Sequence, residues 1–394
     1  MSSLADSISS HNQTVPTKAV PLAVIDNTAQ TVEFGSKGSR ISSEDYRKAV
    51  EDATGYPVPE GLDVVLERMT LQERPDGAAQ WWYKFKFVPA TVDLTDIERP
   101  GLKDLVGWVR SQPRKTPSSE PRKGGTAVLC IADLQLGKTG SRGTTKETVA
   151  AFYDGVEQMK EYIRQHGCSK AVLAELGDGI ENFQNVKSQA QTNDHSLIEQ
   201  LNLHGDLLTY ATAQIAKEVD ELLVVGVPSN HMEVREDGEA VGGPANDYGL
   251  LSLAGVKRVC EYNPAAFGHV KFAWPGEYDV SLTLDVNGVP VGFAHGHYAR
   301  GAAAANGVEK WLDGQFAGNQ PLQPAHIIVT GHFHHLRVQN VTGGRWWLQC
   351  PTVDRGSDWL RFATGQGDSQ NGFLAFRIED GASSWSDKKL LRTA

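Results

Sequence analysis

Five apolar runs of this 394-residue chain end in side chains that bind cations or carry protons. The run through Cys130-Ile131-Ala132 ends in Asp133-Leu134-Gln135-Leu136-Gly137, and Leu173-Ala174-Glu175-Leu176 ends in Gly177-Asp178-Gly179-Ile180-Glu181. Leu222–Val227 leads to Pro228-Ser229-Asn230-His231, Val291–Ala294 to His295-Gly296-His297, and His326–Thr330 to Gly331-His332-Phe333-His334-His335. Carboxylate, amide and imidazole are oxygen and nitrogen ligands suited to Mn, Fe, Zn or Mg rather than to thiophilic ions. The set is too large for a single tetrahedral ion. A carboxylate shared between two neighbouring ions would use it all. Such a pair activates water and clamps both the attacking and the leaving oxygen of a phosphoryl group. A lone histidine at a strand end is ordinarily a satisfied core or surface residue, and Gly-Asp after a strand is ordinarily a turn. The ordered recurrence at five strand ends carries the functional reading.

Such groups need a frame that brings strand ends together. From about residue 126, apolar runs alternate with helical stretches: TAVLCIA with KETVAAFYDGVEQMKEYIRQ, KAVLAEL with SLIEQLNLHGDLLTYATAQIAKEV, then ELLVVGV. This alternation predicts α/β structure with parallel pairing. Further on, Asn287-Gly288 between two β-rich runs predicts a hairpin, and AHIIVTGH, RWWLQCPTV and FLAFRIED add strands. The expectation is two packed sheets with helices outside, and ligands beyond the carboxyl ends of the strands.

The rest of the chain bounds the answer. Its hydrophobic fraction of 40% and charged fraction of 22% are those of a soluble globular protein. A formal net charge of −10 excludes a surface coated for non-specific nucleic-acid binding, though not a local basic groove. Cys130, Cys168, Cys260 and Cys350 are far apart and read as free thiols of a reducing compartment. No run reaches membrane-spanning length and the N-terminus lacks a secretory pattern, so the expected location is the cytoplasm. Residues 1–40, rich in Ser, Thr and Gly, are expected to be a disordered arm, and 41–95 a small α+β module. In that module a helix capped by Ser42 or Ser43 precedes a hairpin turning at Arg74-Pro75-Asp76-Gly77. Tyr83, Phe85 and Phe87 make one face of the hairpin; Trp82, Lys84 and Lys86 make the other, either solvated or available to stack bases and touch phosphates. Residues 96–125 read as a Pro/basic linker and 126–394 as the main domain.

The ordered motifs resemble the calcineurin-like metallophosphoesterase superfamily, over roughly residues 126–380. That pattern runs D-x-H, GDxxD or GDxxN, GNH with a following acid, an isolated H, then G-H-x-H. The resemblance implies a four-layer α-β-β-α metallophosphoesterase sandwich. It implies two divalent ions, Mn foremost, with Mg, Fe and Zn as alternatives. Asp133, Gln135 and His334 would hold the first, Asp178 would bridge, and Asn230, His295 and His332 would complete the second. His231 would bind no metal and would protonate the leaving oxygen, oriented by Asp178, Glu181 or Glu233.

Several positions depart from the pattern. Gln135 replaces histidine, a weaker and harder ligand that favours Mn or Mg over Zn. Ser229 replaces glycine, with strain expected at that turn. Met232 replaces the acid after His231, and Glu233 comes one residue late. His297 competes with His295, and His335 is extra.

The expected activity is phosphodiester hydrolysis, on nucleic acid in the manner of an exonuclease or on a nucleotide. Leu136-Gly137 is similar to the D-x-H-L-G of DNA-repair exonucleases, and the layout resembles phage-encoded phosphoesterases with a small N-terminal extension. Arg235, Tyr298, Arg300 and Lys310 are candidate phosphate contacts. No membrane partner is expected. The rival expectation is a binding scaffold on the same fold with weakened catalysis.

Overall fold

The structure, a computed structural model, describes residues 24–26, 31–36, 41–42, 45–58, 62–73, 79–89, 102–116, 124–141, 143–184, 189–299, 305–354 and 371–393. The chain divides into two compact units, Met1–Asp93 and Leu94–Ala394.

The first unit holds strands β1 (Val24–Asp26) and β2 (Thr31–Ser36), helix α1 (Tyr46–Thr54), and strands β3 (Leu62–Glu73) and β4 (Ala79–Pro89). The four strands form one antiparallel sheet in the order β1-β2-β4-β3. Tyr83, Phe85 and Phe87 are buried against Val32, Phe34, Val50 and Ala53, so the alternation read in the sequence sorts the two faces. The expectation of an arm without structure through residue 40 is corrected by β1 and β2. Val32 and Phe34 gain their burial from β4, a partner far along the chain. On the opposite face Lys84 is paired with Glu67 at 3.0 Å and Glu33 at 3.7 Å, which neutralises much of the basic character expected there. The turn at residues 74–77 and Ser43 lie outside the described residues.

The second unit is mixed α/β. It begins with helix α2 (Leu102–Ser111), which corrects the expectation of a continuous linker over 96–125. Strand β5 (Thr126–Ile131), helix α3 (Thr145–His166), strand β6 (Lys170–Glu175), helix α4 (Leu197–Glu218) and strand β7 (Glu221–Gly226) follow the predicted alternation. The hairpin β8 (Arg235–Glu236) and β9 (Glu239–Ala240) precedes helix α5 (Tyr248–Glu261). Next come β10 (Val270–Ala273), β11 (Ser281–Val286), β12 (Val289–Ala294), helix α6 (Ala305–Ala317), β13 (Ile327–Thr330), β14 (Arg337–Val341), β15 (Arg345–Gln349), β16 (Gly372–Ile378) and β17 (Ser386–Arg392).

Two larger sheets result, ordered β10-β7-β6-β5-β16-β17 and β11-β12-β13-β15-β14. The helices start where local chemistry dictates. Thr144 with Glu147 and Ser196 with Glu199 form capping boxes for α3 and α4, satisfying first-turn N–H groups. Asn287 and Gly288 turn the β11–β12 hairpin at φ 54° and 88°, a conformation that Asn-Gly tolerates. One apolar cluster draws on both sheets: Val128, Cys130, Val172 and Val225 from one, Val291, Phe293, Val329 and Leu348 from the other. Every residue of β5 is buried, which is why TAVLCI reads as a continuous apolar run rather than an alternation. Helix α6 contributes Val308 and Leu312 to a second cluster against Ala294, Ile328 and Trp347. The parallel register aligns Ile131, Glu175 and Gly226 in one sheet, and Ala294 with Thr330 in the other. The loops that follow them therefore leave side by side. All four cysteines are buried and free. Among the described residues no helix is long and apolar enough to cross a membrane.

Candidate metal centre

The loops after β5 and β6 are joined by backbone hydrogen bonds. Asp133 N–H donates to Gly177 O (3.0 Å), Gln135 N–H to Asp178 O (2.9 Å) and Leu136 N–H to Gly179 O (3.1 Å). Asp133, Gln135, Asp178, His332 and His334 all adopt left-handed backbone conformations, with φ between 44° and 72°. Such conformations cost on the order of 1–3 kcal/mol each for non-glycine residues and persist where the surroundings over-determine them. They concentrate here on five of the seven residues read as ligands.

Asp178 lies at the middle of this convergence. Its Oδ2 is 3.0 Å from His295 Nε2, which is also 3.0 Å from Asn230 Oδ1. The ligand-bearing atoms of Asp178, His295 and His332 all lie within 4.8 Å of one another. His295 Nδ1 is 2.7 Å from Leu176 O, so the ring donates there and turns Nε2 toward Asp178. A few ångströms away, Asp133 Oδ1 is buried with no hydrogen-bond partner and lies 3.4 Å from His334 Nε2. Its Oδ2 accepts the His332 N–H at 2.9 Å. The donor set fits divalent cations: an orphaned carboxylate oxygen, a buried carboxylate ringed by imidazoles, and amide oxygens at the edges. Gln135 is buried beside them, its Oε1 accepting from Lys138 Nζ at 2.6 Å.

Electrostatics follow the crowding. Burial opposes the charge on Asp178, yet His295 and His231 hold its carboxyl well below the ordinary range. Burial works against a proton on His295, but the Asp178 carboxylate and its hydrogen bond win and raise the ring to about 9. His332 goes the other way, to about 4, from burial and the neighbouring His295, and so presents a neutral imidazole.

His231 leaves the β7 loop with its backbone N–H on Asp178 Oδ1 (2.8 Å) and its Nε2 3.9 Å from Asp178 Oδ2. Of the three carboxylates considered for orienting it, Glu181 takes the position: its backbone O is 3.0 Å and its Oε2 3.4 Å from His231 Nδ1. Gln189 Nε2 adds contacts to Glu181 Oε1 (3.2 Å) and His231 Nδ1 (3.3 Å). Burial lowers the His231 pKa, but Asp178 and Glu181 outweigh it and raise the ring to about 9. Glu233 is committed elsewhere, to Arg235 at 2.5 Å.

The sequence departures find physical reasons. Ser229 is not strained: it is absent from the positive-φ residues, and its Oγ accepts the Asp178 N–H at 2.7 Å. That expectation is corrected, because the hydroxyl supplies a bond glycine cannot. Met232 is fully buried, with its Sδ 3.3 Å from Ile180 N, under the turn that carries Glu181. His297 lies tilted beside His295 at 5.4 Å and edge-on to His332 at 6.3 Å, with neither ring nitrogen hydrogen-bonded. Burial and His295 push it down to about 3. His335 Nδ1 bonds Phe333 O at 2.7 Å, away from the cluster.

Among the candidate phosphate contacts, Arg235 is engaged by Glu233 and Gly238 O. Tyr298 stacks on His297 at 4.1 Å and is half-exposed, Lys310 is exposed on α6, and Arg300 lies outside the described residues. Sequence reasoning missed Lys138, Asp354 and Asp247. Asp247 accepts Ser229 N–H at 3.0 Å while capping α5, and an Asp directly before a helical run was its one visible signal.

Comparison with family models and with curated proteins gives no match. Solved structures give distant likenesses. Vps29 complexed with zinc from Entamoeba histolytica is 12% identical, with a TM-score of 0.31, covering 68% of this chain and 99% of that one. A dimetal phosphatase from Danio rerio is 10% identical, with a TM-score of 0.34, covering 70% of this chain and 100% of that one. The phosphopantetheinyl hydrolase of Mycobacterium tuberculosis is 11% identical, with a TM-score of 0.26, covering 58% and 91%. At these values the likenesses assign nothing, and function must be argued from the chain's own residues.

Proposed function

We propose that the chain is a dinuclear-metal phosphoesterase of the calcineurin-like kind, built as a four-layer α-β-β-α sandwich, and that it hydrolyses phosphodiester bonds of nucleic acid or of a nucleotide. The observation that carries this reading is the meeting of Asp178, Asn230, His295 and His332 from four separate strand ends, with the ligand atoms of Asp178, His295 and His332 inside 4.8 Å. Asp133, Gln135 and His334 would hold one cation, Asn230, His295 and His332 the other, and Asp178 would serve both. Manganese is the first choice for a set built of oxygen and imidazole nitrogen. Bound ions of this kind activate water and stabilise the charge of an in-line displacement.

The protein's own part is positioning and proton delivery. Glu181 O accepts from His231 Nδ1–H, with the Glu181 carboxylate 3.4 Å away favouring that proton, which leaves Nε2 facing the Asp178 side of the site. From there Nε2–H can protonate a leaving oxygen. Buried, partnered Glu181 and Gln189 limit the rotation of the ring.

The test is hydrolysis of bis-p-nitrophenyl phosphate by metal-depleted protein with and without added Mn²⁺, followed by a panel of DNA and nucleotide diesters. Turnover should require the added ion, and His231→Ala should abolish it while leaving metal content unchanged. Metal bound with no turnover on any diester would replace this reading with the scaffold alternative.

A further inference from the structure

The amide of Gln135 already has a cationic partner. Lys138 Nζ donates to Gln135 Oε1 and to Asp354 Oδ2, each at 2.6 Å. The side chains of Lys138 and Asp354 are only 12% and 9% exposed, so their charges are weakly screened by solvent. The arrangement is braced from below. Asp354 N–H donates to Thr352 Oγ1 (2.8 Å), and Thr352 Oγ1 donates to Asp133 O (2.5 Å). Lys138 N–H closes a turn on Gln135 O at 3.1 Å. The clasp therefore ties an ammonium to the loop that presents both Asp133 and Gln135. Around Asp178 and His295 the contacts differ: they run to backbone groups, the Ser229 hydroxyl, imidazoles and the Asn230 amide.

We propose that the Lys138–Asp354 clasp makes the two cation positions unequal. The position offered by Asp178, Asn230, His295 and His332 fills first, and the position offered by Asp133, Gln135 and His334 fills only at higher divalent-ion concentration. This rests on the two-cation reading above. The cause is electrostatic. A divalent ion on Gln135 must share its carbonyl oxygen with an ammonium that both repels the ion and draws electron density from the oxygen. Asp354 offsets part of that charge, but it is directed at Lys138 Nζ rather than at the amide.

The experiment titrates metal-depleted full-length protein with Mn²⁺ and reads the free ion by electron paramagnetic resonance at each addition. Wild type should bind two ions with dissociation constants at least about tenfold apart, equivalent to about 1.4 kcal/mol. Lys138→Met alone would leave Asp354 buried and unpaired, an added anion that attracts metal for a different reason. The informative variants are K138M/D354N, which removes the clasp without changing the net charge, and K138Q/D354N, which also leaves the net charge unchanged but keeps a hydrogen-bond donor at position 138. Either should tighten the weaker class by about tenfold while the tighter class stays within about twofold. Two ions of equal affinity in wild type, or a weaker class unmoved in both variants, overturns the clasp and leaves the metal centre standing. Wild type that takes up no Mn²⁺ overturns the metal centre and the clasp together.

Discussion

Gly177→Ala tests how tightly the β6 and β7 loops are fitted around Asp178. Gly177 has φ 92°, and a Cβ there would lie 2.4 Å from Ser229 Cβ, 2.9 Å from Ser229 Oγ and 3.0 Å from His295 Nδ1. Ordinary carbon contacts fall at about 3.5–4.0 Å, so the overlap with Ser229 Cβ exceeds roughly 1 Å. Ser229 cannot rotate away from it: Cβ is fixed by the backbone, the residue is fully buried, and its hydroxyl holds the Asp178 N–H. The backbone conformation costs an alanine on the order of 1–3 kcal/mol, and overpacking adds about 1–3 kcal/mol. The sum, about 2–6 kcal/mol, should appear as a lower midpoint in urea unfolding with an unchanged slope. Ser229→Gly removes the overlapping atoms but not the backbone penalty. The double variant G177A/S229G should therefore be more stable than the two single losses added together, by about 1 kcal/mol or more. A Gly177→Ala protein within about 0.5 kcal/mol of wild type, or strictly additive losses, would refute the claim that these loops touch.

Two other substitutions separate catalysis from architecture. Glu181→Gln keeps the backbone oxygen on His231 but removes the carboxylate, so steady-state diester hydrolysis should fall by roughly 10- to 100-fold while Mn²⁺ affinity, measured in the same titration, stays at the wild-type value. Asp194 accepts Thr145 N–H (3.0 Å) and Oγ1–H (2.6 Å) and lies 2.6 Å from His195 Nδ1, at 2% side-chain exposure. Asp194→Ala strands that buried group of donors and should lower the unfolding free energy by about 1–3 kcal/mol for each donor left unsatisfied, read in denaturant titration.

Legibility in the sequence tracked locality. The strands and helices of the second unit were visible because β5, β6 and β7 each carry an apolar run and α3 and α4 open on capping boxes. The candidate ligands were visible because each ends such a run. Strands β1 and β2 were not, since polar Thr31, Glu33 and Ser36 dilute the pattern and burial arrives only from β4. Helix α2 was hidden by the Pro/basic stretch after it, although Leu102, Leu105, Val106 and Val109 recur at helical spacing. The orienting role of Glu181 over Glu233 depended on where Arg235 reaches, and the Lys138–Asp354 contact joins residues 216 positions apart. Neither has a local signature.

The most direct measurement is anomalous scattering at the manganese edge from crystals grown with Mn²⁺. The expected result is two peaks flanking the Asp178 carboxylate, one beside Asn230, His295 and His332 and the other beside Asp133, Gln135 and His334, with both lost in Asp178→Ala. Clear density for these side chains with no peak among them, at saturating Mn²⁺, would contradict the assignment of this chain as a metal-dependent phosphoesterase.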